Sequence, residues 1–282
     1  MDNAKQVQFW NGEAGERWVR LQAALDRALE PFGDAVQKRA NLRVGDRVVD
    51  VGCGCGSLTL AVARSIGDSG LVTGIDVSSL MLARAKERAA AFQNISLVHA
   101  DAGSYRFERS ADAVVSRFGV MFFHDPKVAF ANLRTALRPG GRLAFACWCT
   151  QEENPWFCIP RDAALQHVPP PLPAGPEEPG PFSLADRIRV ERILRAAGFA
   201  EIKVDAFEAP VLMSADGLDA AVDFATATGV VARVLADADD GAKARVRRAV
   251  REALTPHLRG QTVSLQGAAW LVSATNAEVP TR

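Results

Sequence analysis

"VVDVGCGCGSLTLA", Val48 to Ala61, decides the fold. A β-branched run with the look of a buried parallel strand enters a turn that packs three glycines and two cysteines into five positions, and a helical stretch follows. Glycine in such a turn lets a ligand lie against bare backbone, and the helix that follows offers unpaired N–H groups. Taken alone the turn fits an ordinary tight connection as well as a cofactor cradle. The residues around it have to separate the two, and have to say whether the cysteines hold a metal.

Outward from the turn the same unit recurs. Gly70–Val77 reads as a second strand and Ser78–Phe92 as a helix capped by Ser78. Ile95–Ala102 and Ala111–Val120 read as strands three and four. Asp125-Pro126 places a capping side chain before a proline at the first helical position, and that helix runs to Leu137 and stops at "RPGG". Arg142–Trp148 is strand five. Upstream, residues 8–42 read as helical from the stripe Trp18, Leu21, Leu25, Leu29, with a turn at Val44–Asp46. Strand and helix in alternation at this spacing imply right-handed βαβ units, hence an open, doubly wound α/β sheet.

After Trp148 the rhythm breaks. Seven of the 15 prolines fall between Pro169 and Pro181, an irregular excursion. Ser183–Phe199 restores a capped helix, 200–213 a strand, 216–228 and 239–257 helical stretches, and 262–275 a final strand. The expected organisation is an N-terminal helical cap (1–42), a cofactor-binding core (43–150), a proline-rich lid insertion (151–182), and the rest of the core sheet (183–282) with a helical insertion at 214–258.

Of the 282 residues, 48% are apolar and 23% charged, with 33 basic against 33 acidic side chains. A balanced chain gives no reason to expect nucleic acid or an anionic membrane as partner. No stretch nears the ~18 uninterrupted apolar residues of a membrane span. "MDNAKQVQFW" shows no secretory signal, and five cysteines in a long chain form no disulfide framework, so the expected location is cytoplasmic.

Asp76 closes strand two, 24 residues after Gly52, where a carboxylate can accept both hydroxyls of a ribose. An N-cap role for the following helix is the plainer alternative. Nicotinamide enzymes also use an acid there, so the glycine register must discriminate. A dinucleotide turn needs G-x-G-x-x-G, but the third place falls on Ser57 or Thr59. The turn is instead G-x-G-x-G preceded by Asp50, which suits a cofactor without a pyrophosphate.

"VVDVGCGCGSLTLA", "VTGIDVSSLMLARAKERA", "LVHADAGSYRF" and "ADAVVSRFGVMFFHDPKVAFANLRTALRPGGRLAFACW" together resemble the successive motifs of class I S-adenosylmethionine-dependent methyltransferases, most of all the branch with the ubiquinone and menaquinone C-methyltransferases. The resemblance covers about residues 40–150; it implies a mostly parallel, seven-stranded Rossmann-like sheet with a reversed final hairpin, and S-adenosylmethionine as cofactor. It implies that Gly52, Gly54 and Gly56 floor the methionine and ribose part, with Cys55 where the family often has Thr or Ser. Asp50 would orient the loop or meet the ammonium through water. Asp76 would grip the ribose beside Val77, which flanks the adenine. Asp101 would accept the adenine amino group, and Ala102 would offer its N–H to the ring. Ser116 and Arg117 would face the methionine, Arg117 replacing a smaller residue common in the family. Trp10 and Trp18 lie on the segment that folds over the cofactor in related enzymes, where aromatic surface suits a sulfonium. Helix packing is the plainer role for both.

Cys53-x-Cys55 and Cys147-x-Cys149 invite a zinc reading. Strand four should separate them by about 9–10 Å, too far for thiolates that must lie within ~2.3 Å of one ion. No metal is expected. His124, after strand four, is the candidate general base, an imidazole suiting a phenol or enol; a solvated loop histidine is the plainer reading. His99 reads as packed in strand three.

Methyl transfer from a sulfonium needs in-line positioning and exclusion of water more than acid–base groups. The expected activity is transfer to an O, C or N atom of a small, moderately hydrophobic metabolite. Two rivals stand: a nicotinamide-dependent oxidoreductase, and a binder of S-adenosylmethionine with non-methyl chemistry or a sensor role. The oligomeric state stays open, with a homodimer allowed.

Overall fold

The computed structural model describes residues 3–108, 110–172, 175 and 177–277. Residues 8–42, read as one helical region, form three helices: α1 (Ala4–Trp10), α2 (Glu13–Arg20) and α3 (Gln22–Ala40). The first break falls at Asn11-Gly12, where Gly12 is extended and the Asn11 side chain bonds across the molecule. α3 ends on Asn41 in the left-handed conformation.

The βαβ rhythm then unfolds: β1 (Arg47–Val51), α4 (Ser57–Ile66), β2 (Leu71–Asp76), α5 (Ser79–Arg88), β3 (Ile95–His99), β4 (Ala111–Arg117), α6 (Pro126–Ala136) and β5 (Leu137–Trp148). The caps are as the side chains dictate. The Ser78 hydroxyl accepts from the Met81 N–H, and Asp125 accepts from the Val128 N–H ahead of Pro126. Strand three stops at His99 and strand four at Arg117, each shorter than expected. The "RPGG" stop lies within β5: pairing with β4 jumps from Ala111–Leu137 to Ala113–Arg142, and Asn276 holds the intervening bulge. Its backbone exchanges bonds with Gly140 and Gly141 at 2.8 Å, and its side chain donates to the Leu137 carbonyl.

Beyond β5 lie α7 (Pro155–Ala164), α8 (Arg187–Ala196), β6 (Ala200–Ser214), α9 (Leu218–Ala227), α10 (Gly229–Leu235), α11 (Asp240–Leu254), the two-residue β7 (Leu258–Arg259) and β8 (Thr262–Thr275). α8 begins four residues later than expected because Asp186, not Ser183, caps it. The Ser183 hydroxyl donates instead to the Met121 carbonyl at 2.6 Å. Part of the proline-rich excursion, residues 173, 174 and 176, lies outside the described residues.

The sheet order is β3-β2-β1-β4-β5-β8-β6, with β7 on β8. β1 to β5 are parallel, and β8 runs antiparallel between β5 and β6. β6 therefore points the same way as β5, and its end at Ser214 reaches the edge where β1 and β4 end. The order reverses beside β1, which makes the gap between the ends of β1 and β4 the topological switch point. α3 packs across β4, β5 and β6, its own Phe32 fully buried against them.

Candidate functional site

At the switch point the turn after β1 holds Gly52, Gly54 and Gly56 at φ +66°, +53° and +83°, backbone that L side chains rarely adopt. The three differ in what surrounds them. A Cβ on Gly52 would stand 2.7 Å from the Cα of Gly119, the glycine just past β4. A Cβ on Gly54 would meet only the Met81 sulfur and the Trp18 indole nitrogen, at 3.7 and 3.8 Å. Gly52 with Gly119 lets two chain segments touch. Gly54 leaves an open cradle.

Asp76, buried at the end of β2, organises that cradle. One carboxylate oxygen accepts from the Gly54 N–H and the other from the Ser78 N–H, both at 2.8 Å. Burial raises its pKa, opposed by these N–H groups and that of Val77. The N-cap alternative for Asp76 therefore fails: Ser78 caps α5. Asp50 lies buried beneath the turn, its carboxylate accepting from the Thr59 hydroxyl at 2.6 Å. Desolvation pushes its pKa up to about 6 against the pull of Thr59 and Arg117.

The N-terminal helices close over this side. The Ser78 hydroxyl donates to the Trp10 carbonyl at 2.7 Å, and the Asn11 amide spans the Val77 carbonyl and the Ser79 N–H, each at 2.9 Å. Trp10 packs edge-on against Trp18 and Phe122. His99 is exposed, not packed, and its Nε2 donates to the Val77 carbonyl at 3.0 Å. Asp101 folds its carboxylate back onto the Gly103 N–H, while the buried Ala102 gives its carbonyl to Asn132.

Ser116 is fully buried and committed to backbone: its hydroxyl donates to the Val51 carbonyl and accepts from the Gly119 N–H. Arg117 is largely buried, yet among the described residues its guanidinium has only distant partners, Ser57 Oγ at 3.5 Å and Asp26 at 3.8 Å. Phe118 sits at φ +63°, a strained conformation for an aromatic residue, and stacks on Trp148 with ring centroids 3.9 Å apart. His124 is exposed on the rim and bonds to nothing among the described residues.

The cysteine pairs end β1 and β5, with β4 between them. Burial holds Cys53 and Cys147 protonated and pushes Cys55 and Cys149 up to about 12.

A network read nowhere in the sequence ties α3 to the turn. Asp26 accepts from Arg88 at 2.7 Å and from Gln22 at 2.6 Å, and Arg88 donates to the Cys55 carbonyl at 2.6 Å. Gly119, Thr59, Asn11, Asp26 and Arg88 all went unmarked. A glycine directly after strand four was the available signal for the first.

These groups fit S-adenosylmethionine. Its carboxylate needs donors, and Arg117 has a buried guanidinium short of acceptors. Its ammonium, ribose and adenine amine need acceptors, and the start of α1 offers two buried oxygens, Oδ1 of its N-cap Asn3 and Oε1 of Gln6, that receive no hydrogen bond among the described residues.

A methyltransferase domain model matches residues 48–141, from β1 into β5. The demethylmenaquinone methyltransferase of Staphylococcus aureus is 30% identical over 185 residues, 61% of this chain and 75% of that one. Among solved structures, the YcgJ protein of Bacillus subtilis superposes with a TM-score of 0.58 at 18% identity, over 89% of this chain and all of that one. Phosphoethanolamine N-methyltransferase 2 of Haemonchus contortus, solved with S-adenosyl-L-methionine, gives 0.60 at 16%, over 99% and 60%. Fold, glycine turn and relatives agree on one class: the chain belongs to the class I S-adenosylmethionine-dependent methyltransferases. Within that class it is similar to the menaquinone-biosynthesis branch, and S-adenosylmethionine is its cofactor. Among the described residues no helix is long and apolar enough to cross a membrane.

Proposed function

We propose that the chain methylates a small, moderately hydrophobic, ring-bearing metabolite by in-line displacement, with the glycine turn and Asp76 holding the donor. The bound cofactor supplies an activated methyl on sulfur, so the protein's work is to bind, orient and keep water out. Asp76 accepts the ribose hydroxyls on the lone pairs that the Gly54 and Ser78 N–H groups leave free, and Val77 flanks the adenine. Gly54 admits the donor against backbone, Gly56 floors it while letting Ala85 of α5 pack close, and Cys55 contributes its carbonyl to Arg88 rather than a reactive thiol. Arg117 takes the methionine carboxylate, and Asp50 offsets the ammonium through water. Asp101 and the Ala102 N–H serve the adenine edge. Trp10 roofs the sulfonium side.

The acceptor class rests on the half-buried aromatic pair of the N-terminal side and on likeness. Phe122 closes edge-on against Trp10, a surface suited to a flat apolar ring, and the Staphylococcus relative is named for a quinone precursor. His124, exposed on the rim, is placed to take a proton from a hydroxyl there only once an acceptor is bound.

The observation that carries the donor site is the Asp76 carboxylate bonded to both Gly54 and Ser78. Calorimetry with S-adenosylhomocysteine tests it: Asp76→Ala should weaken binding by about 100-fold, as for a lost charged hydrogen-bonding group. Undiminished binding overturns the assignment. Transfer of a labelled methyl to naphthoquinol-like phenols, and not to nucleic acid or peptide, tests the acceptor class.

A further inference from the structure

Away from the glycine turn, the start of α3, the end of β6 and helices α9 to α11 line an open cavity of about 680 Å³, within the range of small-molecule sites. Its apolar part comes from Leu21, Ala24, Met213, Phe224 and Leu235. Its charged part is dominated by cations. Arg20, Arg27, Lys243 and Arg247 line it against two acids, Asp216 and Asp223. Asp223 is taken by Arg247 at 2.6 Å. Arg20, Arg27 and Lys243 form no ion pair among the described residues, and Lys243 is half-buried. Three cationic side chains without an ion-pair partner thus converge on one apolar-walled cavity, where an anion would meet them together.

We propose that this cavity binds an amphipathic organic anion, a carboxylate or phosphate monoester carried on an apolar body. The head group lies between Arg27 of α3 and Lys243 of α11, and the body rests on Met213 and Phe224. The cavity and the glycine turn draw on different side chains of α3. Asp26 turns toward Arg88 and the glycine turn, whereas Ala24 and Arg27 turn toward the cavity. The walls from α9 to α11 lie outside residues 48–141, the part matched by the methyltransferase domain model.

Calorimetry on the full chain with octanoate, octyl phosphate and octan-1-ol tests the proposal. At least one of the two anions should saturate a single site, and the alcohol should bind about tenfold more weakly or worse. Which anion binds tighter identifies the head group. Arg27→Gln and Lys243→Gln, both changes at solvent-reachable positions, should each weaken that anion about tenfold. Affinity for S-adenosylhomocysteine should be unchanged in both variants, which separates this site from the donor site. Three results overturn the proposal: an alcohol that binds as well as the anions, anion binding untouched by either variant, or displacement of the anion by S-adenosylhomocysteine.

Discussion

Asp50 keeps its carboxyl beneath the glycine turn with Thr59 as its hydrogen-bond donor, and burial raises its pKa from 3.8 to about 6. Between those values the folded chain holds a proton that the unfolded chain has lost, so stability falls as pH rises through that window and stays level above it. The penalty is about 3 kcal/mol at neutral pH. Asp50→Asn keeps an oxygen for Thr59 and removes the titration. Its stability relative to wild type, read by urea unfolding, should therefore improve from about pH 4 to about pH 7; a flat difference would contradict the burial argument. The glycines separate packing from binding. Gly52→Ala meets the Gly119 backbone as well as a positive φ, and should lose at least about 2 kcal/mol of stability. Gly54→Ala should lose about 1 kcal/mol, yet place a methyl in the cradle and reduce S-adenosylhomocysteine affinity far more than Gly52→Ala does per unit of stability lost. Unfolding curves and calorimetry on the two variants check this. Such glycines were legible because positive φ leaves a mark in composition, and Asp76 because a carboxylate at a strand end has a fixed distance from the turn. Asp26 and Arg88 left no mark. They are 62 residues apart, and each alone reads as a solvated charge on a helix.

Among the elements, α3 bears on the donor site through one side chain. Asp26 sits within reach of Arg88 and Arg117, all three largely buried. Asp26→Ala removes the carboxylate that Arg88 and Arg117 share and should cost about 2 kcal/mol, less than a fully dry pair because some solvent reaches it. Since Arg88 also holds the Cys55 carbonyl, the same variant should show a smaller thermal stabilisation by S-adenosylhomocysteine than wild type. An equal ligand-induced shift in both would mean that α3 and the turn are uncoupled. The sequence marked strands and helices well wherever a local rule applied, as at Ser78 and at Asp125-Pro126. It failed where a distant residue supplied the partner. "RPGG" carries stop signals, yet Asn276, more than a hundred residues on, draws it into β5. Ser183 has the look of a cap, but Met121 takes its hydroxyl and leaves the capping to Asp186. The single helical stripe at 8–42 breaks at Asn11, whose partners are Val77, just past β2, and Ser79 of α5.

For the molecule as a whole, α1 and α2 are held to the core mainly by Trp10, Asn11 and Trp18, with no buried residue in α1. Amide exchange in residues 4–20 should slow on addition of S-adenosylhomocysteine, since those helices gain a surface to rest on. Exchange that is identical with and without it would place the roof elsewhere. The order of strands has a consequence of another kind. β8 alone joins β6 to the rest of the sheet, and it comes 48 residues after β6 ends. On the ribosome β5 must therefore wait with a bare apolar flank, and β6 without a neighbour, until Thr262–Thr275 has emerged. A nascent chain stalled before that point should be the form that chaperones capture.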